Sequence, residues 1–386
     1  MDFKQEIKLS NLIPKGFAPK KKQPRVDERH HLMPKELVGL KIDSATLSAA
    51  QIVNNGDKRL VKLARAPLAS GIVSAGEVRN PEALAGALNE FFAKNSLPRR
   101  GVRLGLGNSR ILVRVTEIPA IADPSQLDNA IRFRAFEMIS ASPDEAVIDY
   151  RVVGSATDSE GNPVTRVLLV ATYRDSIDRY LAATDAASLD LAGIDLEAFA
   201  LLRAAREPAP PGHELETSAL VAISVERERT TLAISDGEIC HFARVLEWGE
   251  ANIEGAVSQG LRIPPAEAAT AWREAFSPAS EDTPAEPSEP SPLAHIVSQQ
   301  LQTLSREIQK SLRFYQSEQA SPLQVDQVFF AGSLADVPGV VEKLQGDLRF
   351  GLTVIDPFAR LRLDPGTPRL EPASDLSVAI GLGIED

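Results

Sequence analysis

The 386-residue chain is acidic overall, with a formal net charge of −11, and 43% of its residues are hydrophobic. This composition allows a sizeable core, and the negative balance argues against a general nucleic-acid binder. The one cysteine, Cys240, excludes an internal disulfide and is typical of a protein from a reducing compartment. Because no apolar run approaches the ~20 residues of a membrane helix, we expect a soluble cytoplasmic protein.

The first 35 residues are basic, polar and rich in proline, which predicts a disordered tail. Residues 1–26 carry seven Lys or Arg against two acids, although the chain as a whole is acidic. One segment of this tail, IKLSNLIPKGF, is more apolar than its surroundings. It either docks on a protein surface or belongs to a flexible tail, and the residues leave both interpretations open.

The folded part begins with strand patterns. Val38, Leu40 and Ile42 lie on one face of a predicted strand by their period of two. The residues NNGD at 54–57 predict a hairpin turn, and 60–64 predict a further strand. This is the pattern of a β-hairpin followed by an additional strand.

Proline and its preceding polar residue mark two helix starts. Asn80 with Pro81 predicts the first helix, and Asp123 with Pro124 predicts the second. Strand patterns before and after the second helix make 112–172 a small α+β unit.

The hairpin pattern occurs twice, at 38–64 and at 218–245, which predicts a duplicated α/β fold with a cleft between two lobes. A helical pattern covers 251–276, and the acidic, Pro-rich residues 277–292 after it predict a disordered insertion. Apolar residues at steps of three and four from Leu293 to Tyr315 predict the longest helix of the chain.

Several segments together resemble the type IV pilus assembly protein PilM family, which is related to the cell-division protein FtsA. They include VGLKIDSATLSA, AIRFRAFEMISASPDEAVIDYRVVG, EIQKSLRFYQS and VFFAGSLADVPGVVEKL. The resemblance covers about residues 36–386 and is most specific over 129–153. It implies an α/β, two-lobed actin-like fold of the ribonuclease H-like duplicated type, with a small inserted α+β subdomain.

The resemblance and the patterns divide the chain into four expected parts. They are a basic disordered tail (1–35), a first lobe (36–111, resuming at 173–215 and about 372–386), an inserted subdomain (112–172) and a second lobe (216–371) with the insertion 277–292.

The phosphate loops that the family uses are altered in this sequence. In the family the first loop reads roughly Asp-Ile-Gly-Ser, where the Asp organises magnesium and the Gly lets backbone amides approach phosphate. The matching run here is 41–44, Lys-Ile-Asp-Ser, and the second loop matches 222–224, Ala-Ile-Ser. Because both metal-organising acids are missing, we predict slow or no ATP hydrolysis and therefore no enzyme.

ATP is the one candidate cofactor. Two interpretations of Lys41 stay open: it neutralises a phosphate, or it pairs with Asp43 or an acid across the cleft and keeps an empty cleft closed. The Gly-rich turn before a late helix survives in part as Ala331, Gly332 and Ser333. The candidate nucleotide-binding residues are Lys41, Ser44, Thr46, Gly332 and Ser333.

No metal site is predicted, because the five histidines lack the spacing of a ligand set. Cys240 and His241 are neighbours on a predicted strand and would point to opposite faces. We expect a buried thiol and a surface imidazole, without nucleophilic chemistry.

The resemblance also implies a partner, the N-terminal tail of the inner-membrane protein PilN, held between the inserted subdomain and the first lobe. Arg132, Arg134 and Glu137 on the second predicted helix are the candidate partner-binding residues; the alternative is a solvated helical face. The pilus motor ATPase is a second candidate partner. The implied function is a scaffold at the cytoplasmic face of the inner membrane, and the alternative is a nucleotide-binding switch or weak ATPase of the same fold.

The tail carries one further hypothesis. Residues 9–15, LSNLIPK, resemble the short apolar motif of PilN tails. They would allow autoinhibition or self-association through the partner groove, whereas the surrounding basic residues would instead suit peripheral contact with anionic lipid.

Overall fold

The computed structural model describes residues 36–206, 218–274, 291–318 and 323–385. The predicted tail 1–35 lies outside these ranges, as does the predicted insertion except for Ser291 and Pro292. The strands are β1 (Glu36–Ile42), β2 (Thr46–Asn55), β3 (Asp57–Pro67), β4 (Val73–Ser74), β5 (Glu77–Val78), β6 (Arg100–Leu106), β7 (Leu112–Pro119), β8 (Ala146–Thr157), β9 (Pro163–Tyr173), β10 (Asp190–Leu196), β11 (Ser218–Val225), β12 (Thr230–Ser235), β13 (Cys240–Leu246), β14 (Gln324–Ala331), β15 (Gly351–Val354) and β16 (Arg362–Leu363). The helices are α1 (Pro81–Lys94), α2 (Pro124–Ile139), α3 (Arg174–Ala186), α4 (Glu197–Ala205), α5 (Glu250–Leu261), α6 (Pro265–Glu274), α7 (Pro292–Glu318), α8 (Val340–Leu348) and α9 (Ser377–Gly383).

The first lobe is built on a six-stranded sheet in the order β10-β6-β1-β2-β3-β16. β1 runs antiparallel to β2 and parallel to β6, and Gly56 closes the predicted hairpin between β2 and β3 with a φ of 74°. Helix α1 begins where Asn80 predicts it, since the Asn80 side chain accepts a hydrogen bond from the Ala83 amide at 3.0 Å. Its buried residues join the core formed by one face of β1, while α9 packs against β1 and β2.

The second lobe repeats the hairpin arrangement in β11, β12 and β13, flanked by β14 and β15. Helix α7 covers this sheet with a buried stripe at the predicted spacing of three and four residues. The buried members of the stripe are Val297, Leu301, Leu304, Ile308, Leu312 and Tyr315.

The inserted subdomain has the predicted order of strand, helix, strand and strand, formed by β7, α2, β8 and β9. The structure adds that its sheet continues the sheet of the second lobe, in the order β15-β14-β11-β12-β13-β7-β9-β8. Two residue pairs make this junction, Phe242 with Arg114 and Ala243 with Val113. The Arg114 guanidinium also lies 5.0 Å from the centre of the Phe314 ring on α7. The subdomain is therefore attached to the second lobe through both its sheet and α7.

Three details differ from the sequence-based expectations. The chain returns to the first lobe before the predicted residue 372, because β16 pairs with β3 and Phe358 packs in the core around Ile52. The helical pattern at 251–276 forms two helices, α5 and α6, because Arg262 adopts a left-handed conformation ahead of two prolines.

The expected surface position of His241 is also wrong. His241 is buried, and its Nε2 lies 2.7 Å from Oδ2 of Asp236, because the turn that carries Asp236 folds back over the strand. Cys240 is buried as expected, and burial raises the pKa of its thiol to about 12. Among the described helices, none has the length and apolar character that crossing a membrane requires.

Candidate functional site

Two equivalent hairpin turns face each other between the lobes. In the first turn, the Asp43 amide donates to the Thr46 carbonyl at 2.9 Å, and in the second turn the Glu226 amide donates to the Arg229 carbonyl at 2.9 Å. The last paired residues are Ile42 with Leu47 in one hairpin and Val225 with Thr230 in the other. Each turn thus holds four residues, 43–46 and 226–229, and the two can be compared position by position.

This comparison corrects the register of the second phosphate loop. The residues equivalent to Lys41, Ile42 and Asp43 are Ser224, Val225 and Glu226, two positions later than the sequence pattern indicated. The position of the metal-organising acid is therefore Ser224, and the glycine position carries Glu226. Acids are present in both turns, but they occupy the glycine positions.

Lys41 pairs with an acid of the opposite turn. Its Nζ lies 2.5 Å from Oε1 of Glu226, and it also donates to the Asp375 carbonyl at 3.2 Å. The Ser224 hydroxyl donates to the same Glu226 oxygen at 2.7 Å. Lys41 is 1% exposed and Glu226 is 3% exposed. The geometry agrees with the interpretation in which Lys41 closes the cleft through an ion pair.

Arg229 forms a second set of contacts across the cleft. Its Nη1 lies 2.9 Å from Oδ1 of Asp43, and its Nη2 donates to both carboxylate oxygens of Glu197 at 2.8 and 3.0 Å. Nη2 also approaches the Ile42 carbonyl at 3.4 Å. Glu197 is the first residue of α4, a helix that contacts β11 and β12 as well as α9. The guanidinium therefore connects the second turn to two elements of the first lobe.

The buried group contains three carboxylates and two cations. Burial would lower the pKa of Lys41, but the charges of Glu226, Asp43 and Glu197 raise it, so the amine stays protonated. Burial raises the pKa of Glu226 to about 7, and the attraction of Lys41 opposes this shift. The pKa of Arg229 is raised by Glu197 and Asp43, which outweigh the effect of burial. Both cations are thus already neutralised by protein acids.

The other candidate nucleotide-binding residues lie around the same two turns. Ser44 is buried, and its hydroxyl has no hydrogen-bond partner among the described residues. Thr46 ends the first turn and is partly buried. Gly332 and Ser333 lie against the second turn, where the Ser333 hydroxyl donates to the Val225 carbonyl at 3.5 Å. A Cβ at Gly332 would come within 2.2 Å of that carbonyl oxygen, so the backbones are in direct contact.

In this arrangement the side chains do not fit a magnesium triphosphate. Lys41 and Arg229 are 1% exposed, and both form ion pairs with carboxylates. Neither side chain is therefore available to bind a phosphate. The acid position of the second loop is a serine. Within the described ranges, no group of three or more His, Cys, Asp or Glu has the geometry of a metal site.

The sequence analysis missed Glu226, Glu228, Arg229 and Glu197. The first three belong to the run VERER at 225–229, whose charged residues directly follow the β11 strand pattern. Glu228 Oε2 accepts hydrogen bonds from the Ser74 hydroxyl at 3.1 Å and the Ala75 amide at 2.8 Å. A charged run directly after a buried strand was the available signal, but it does not identify partners far away in the chain.

Residues 39–386 match the family model of the type IV pilus assembly protein PilM. The chain belongs to this family. Membership assigns it to type IV pilus assembly, and the expected actin-like ATPase fold is confirmed.

Solved structures agree with this fold. A PilM-PilN type IV pilus biogenesis complex matches with a TM-score of 0.72 and 22% sequence identity over 91% of this chain and 98% of that chain. The ethanolamine utilization protein EutJ from Carboxydothermus hydrogenoformans matches with a TM-score of 0.52 and 13% identity over 91% of this chain and 89% of that chain.

The three candidate partner-binding residues of this PilM-family chain lie on the exposed face of α2. Arg132 Nε pairs with Asp128 Oδ2 at 2.9 Å, and Arg134 Nη1 pairs with Glu137 Oε2 at 3.4 Å. Phe133 between them is 65% exposed.

A sheet separates α2 from the first lobe. Alternate residues of this sheet face opposite ways: Leu169 and Ala171 pack with α2, whereas Leu168 and Val170 belong to the first-lobe core. The α2 surface is therefore on the side of the inserted subdomain that faces away from the first-lobe core. Val153 of β8 and Leu181 of α3 are among the partly buried apolar side chains that pack against the first-lobe core.

Proposed function

We propose that this PilM-family protein is a scaffold at the cytoplasmic face of the inner membrane that binds the N-terminal tail of a PilN-like protein and transfers no phosphate. The observation that carries the proposal is the buried ion pairing of the two turns, Lys41 with Glu226 and Arg229 with Asp43. Because the charged side chains of its phosphate loops are paired with one another, we expect the protein to act by binding a partner and not by catalysis. The similarity to a PilM-PilN complex supports a PilN-like partner.

Phosphoryl transfer needs a metal-organising acid and cations directed at the transferred group. Ser224 occupies the position of one acid, and Lys41 occupies the position of the other. Asp43 and Glu226 cannot substitute while each is held by a cation of the opposite lobe. The proposed role therefore includes no ATPase activity.

The proposed groove for the tail lies between the inserted subdomain and the first lobe. We take Val153 on β8 and Leu181 on α3, which pack against the first-lobe core and are partly accessible, as its candidate apolar lining. An apolar peptide segment would bury against such side chains, with about 25 cal/mol gained for each Å² of apolar surface removed from water. The exposed α2 face with Arg134 then contributes rim contacts or binds another component.

The competing function is a nucleotide-binding switch or weak ATPase of the same fold. It requires the turns to separate, so that Lys41 releases Glu226 and faces a phosphate. Calorimetric titration with ATP, with and without magnesium, distinguishes the two functions. We expect no binding heat in either titration, and micromolar affinity with slow hydrolysis would favour the switch.

The partner proposal is tested with a synthetic peptide of the N-terminal tail of the PilN-like protein, by fluorescence anisotropy. We expect binding to the protein without nucleotide, and at least about tenfold weaker binding to Val153→Asp, because a carboxylate enters an apolar groove. Arg134→Ala is the comparison on the α2 face and is expected to change affinity less than about threefold. Binding that needs ATP, or a larger loss in Arg134→Ala than in Val153→Asp, would contradict this groove.

The basic tail adds a proposal about self-association. Residues 9–15 would occupy the partner groove of the same or a neighbouring copy, and the flanking lysines would favour anionic lipid. Deletion of residues 1–26 tests it by sedimentation and peptide affinity. Tighter peptide binding and loss of concentration-dependent association support the proposal, and no change in either rejects it. The pilus motor ATPase remains a candidate partner for pull-down with the purified motor.

A further inference from the structure

One four-residue turn of the second lobe makes three separate attachments to the first lobe. Glu226 pairs with Lys41, and Glu228 accepts hydrogen bonds from Ser74 and Ala75. Arg229 contacts acids of the β1–β2 turn and of α4. Three of the four residues in 226–229 are thus held by the opposite lobe.

The remaining residue of this turn is oriented differently. Arg227 forms a two-point pair with Glu254 of α5, with Nη1–Oε1 and Nη2–Oε2 distances of 2.9 and 2.7 Å. This contact lies entirely within the second lobe, and Arg227 is more exposed than Arg229. The turn therefore contains two arginines, two positions apart, only one of which contacts the opposite lobe. This pair allows a matched comparison of variants.

A second point of contact lies beside the turn. Gly332 donates its amide to the Ser374 carbonyl at 3.1 Å, and Asp336 accepts from the Ser374 amide and hydroxyl at 3.2 and 2.8 Å. Ser374 begins the single 3-10 turn that leads into α9, and α9 packs on β1. The turn 226–229 is thus supported from the side by contacts that also join the two lobes.

The closed arrangement depends on each charged side chain of the buried group, because each one is the ion-pair partner of another. Loss of Arg229 would leave Asp43 and Glu197 as neighbouring buried anions, and loss of Lys41 would leave Glu226 unpaired. A buried charge without its partner costs far more than the intact pair contributes, and separation of the lobes relieves this cost by readmitting water. Removing both partners of one pair leaves no such charge.

We infer that the turn Glu226–Arg229 is a latch that holds the two lobes closed without nucleotide, in place of a bound phosphate and metal. The inference goes beyond the PilN-like partner and does not depend on it. It assigns the control of lobe opening to direct protein contacts between the turns. A partner or ion that competes for these charges would open the cleft, whereas ATP would not.

The test is hydrogen–deuterium exchange of the full chain, with Arg229→Met compared with Arg227→Met. In Arg229→Met we expect amide exchange at 43–46 and 226–229 to rise at least about tenfold, together with a larger radius of gyration in X-ray scattering. In Arg227→Met the radius of gyration and the exchange at 43–46 should stay at the wild-type values, since the Arg227 contact lies within one lobe. Exchange in α1 and α7 serves as the control for folding and should not change in either variant.

A second set of variants keeps the inference testable if Arg229→Met does not fold. Lys41→Met alone should raise exchange in the same two turns, and Lys41→Met/Glu226→Met should return it to within about threefold of wild type. Equal exchange in Arg229→Met and Arg227→Met would overturn the latch. Exchange in Lys41→Met/Glu226→Met as fast as in Lys41→Met would also overturn it. Slower exchange of the wild-type turns after addition of ATP and magnesium would overturn it as well.

Discussion

Lys41 Nζ of the first lobe and Glu226 Oε1 of the second lobe lie 2.5 Å apart in a buried ion pair. Lys41 is the next-to-last residue of the strand before its turn, whereas Glu226 begins the turn of the repeated hairpin. Internal repetition thus brings together two residues that replace a metal-organising acid and a phosphate-approaching glycine. In the proposed scaffold function, this pair holds the cleft closed where other actin-like proteins would bind phosphate and metal.

Breaking this pair from one side should destabilise the protein. Lys41→Met leaves the Glu226 carboxylate buried and unpaired, and we expect the free energy of unfolding to fall by about 3 kcal/mol. Lys41→Met/Glu226→Met should recover most of this loss because no charge remains. Urea denaturation of the four proteins in the double-mutant cycle measures the coupling, and additive effects of the two substitutions would refute it.

The pH dependence of stability carries a contribution from Glu226. Its pKa rises from 4.5 to about 7 on folding, mainly through burial, so the folded protein binds the proton more tightly than the unfolded chain. This contribution is therefore complete below pH 4.5 and is lost as the pH rises through 7. We expect Glu226→Gln to flatten the fall of the unfolding free energy between pH 5 and 8, measured by urea denaturation at each pH. An identical slope in the variant would argue against this assignment.

Gly332 should tolerate no side chain. Its φ is 90°, and a Cβ would lie 2.2 Å from the carbonyl oxygen of Val225, the last residue of β11. Gly366 has nearly the same φ, 89°, but a Cβ there meets nothing within 4 Å. We expect Gly332→Ala to lower the unfolding free energy by about 3 kcal/mol and Gly366→Ala by about 1 kcal/mol, measured by thermal denaturation. Equal losses would mean that backbone conformation alone, without the contact, sets the cost.

The junction between the inserted subdomain and the second lobe depends on Phe242. The centre of its buried ring lies 6.0 Å from the ring centres of both Phe314 and Tyr315, next to the β7–β13 pairing. We expect Phe242→Ala to cost about 3 kcal/mol in chemical denaturation, because it leaves a cavity at the junction.

Phe133→Ala is the matched control for that substitution. Phe133 is 65% exposed on α2, so its removal should change stability by less than about 0.5 kcal/mol. Proteolysis of the subdomain should also accelerate in Phe242→Ala and remain unchanged in Phe133→Ala. A similar response of both variants would show that the junction does not hold the subdomain.

Local signals determined much of the architecture. Asn80 and Pro81 begin α1 because a side-chain acceptor and a fixed φ act within one helical turn. The turn at Gly56 and the apolar stripe of α7 likewise depend on neighbours only a few residues away. The resemblance of several segments to the PilM family, most specific over 129–153, then indicated the fold, and the departure of the first phosphate loop indicated the loss of the usual acid at Lys41.

Only the tertiary structure decided which contacts the altered loops make. The strand pairing shows that 224–226, and not 222–224, is equivalent to 41–43 in the first loop. The fold paired Lys41 with Glu226 and placed Arg229 between Asp43 and Glu197. It also joined the inserted subdomain to the second lobe through β7 and β13. These contacts link residues far apart in the chain, and a charged or β-forming residue carries no local mark of its distant partner. The physical reason is that burial and Coulomb interactions depend on which surfaces meet, and that is determined by the packing of the whole fold.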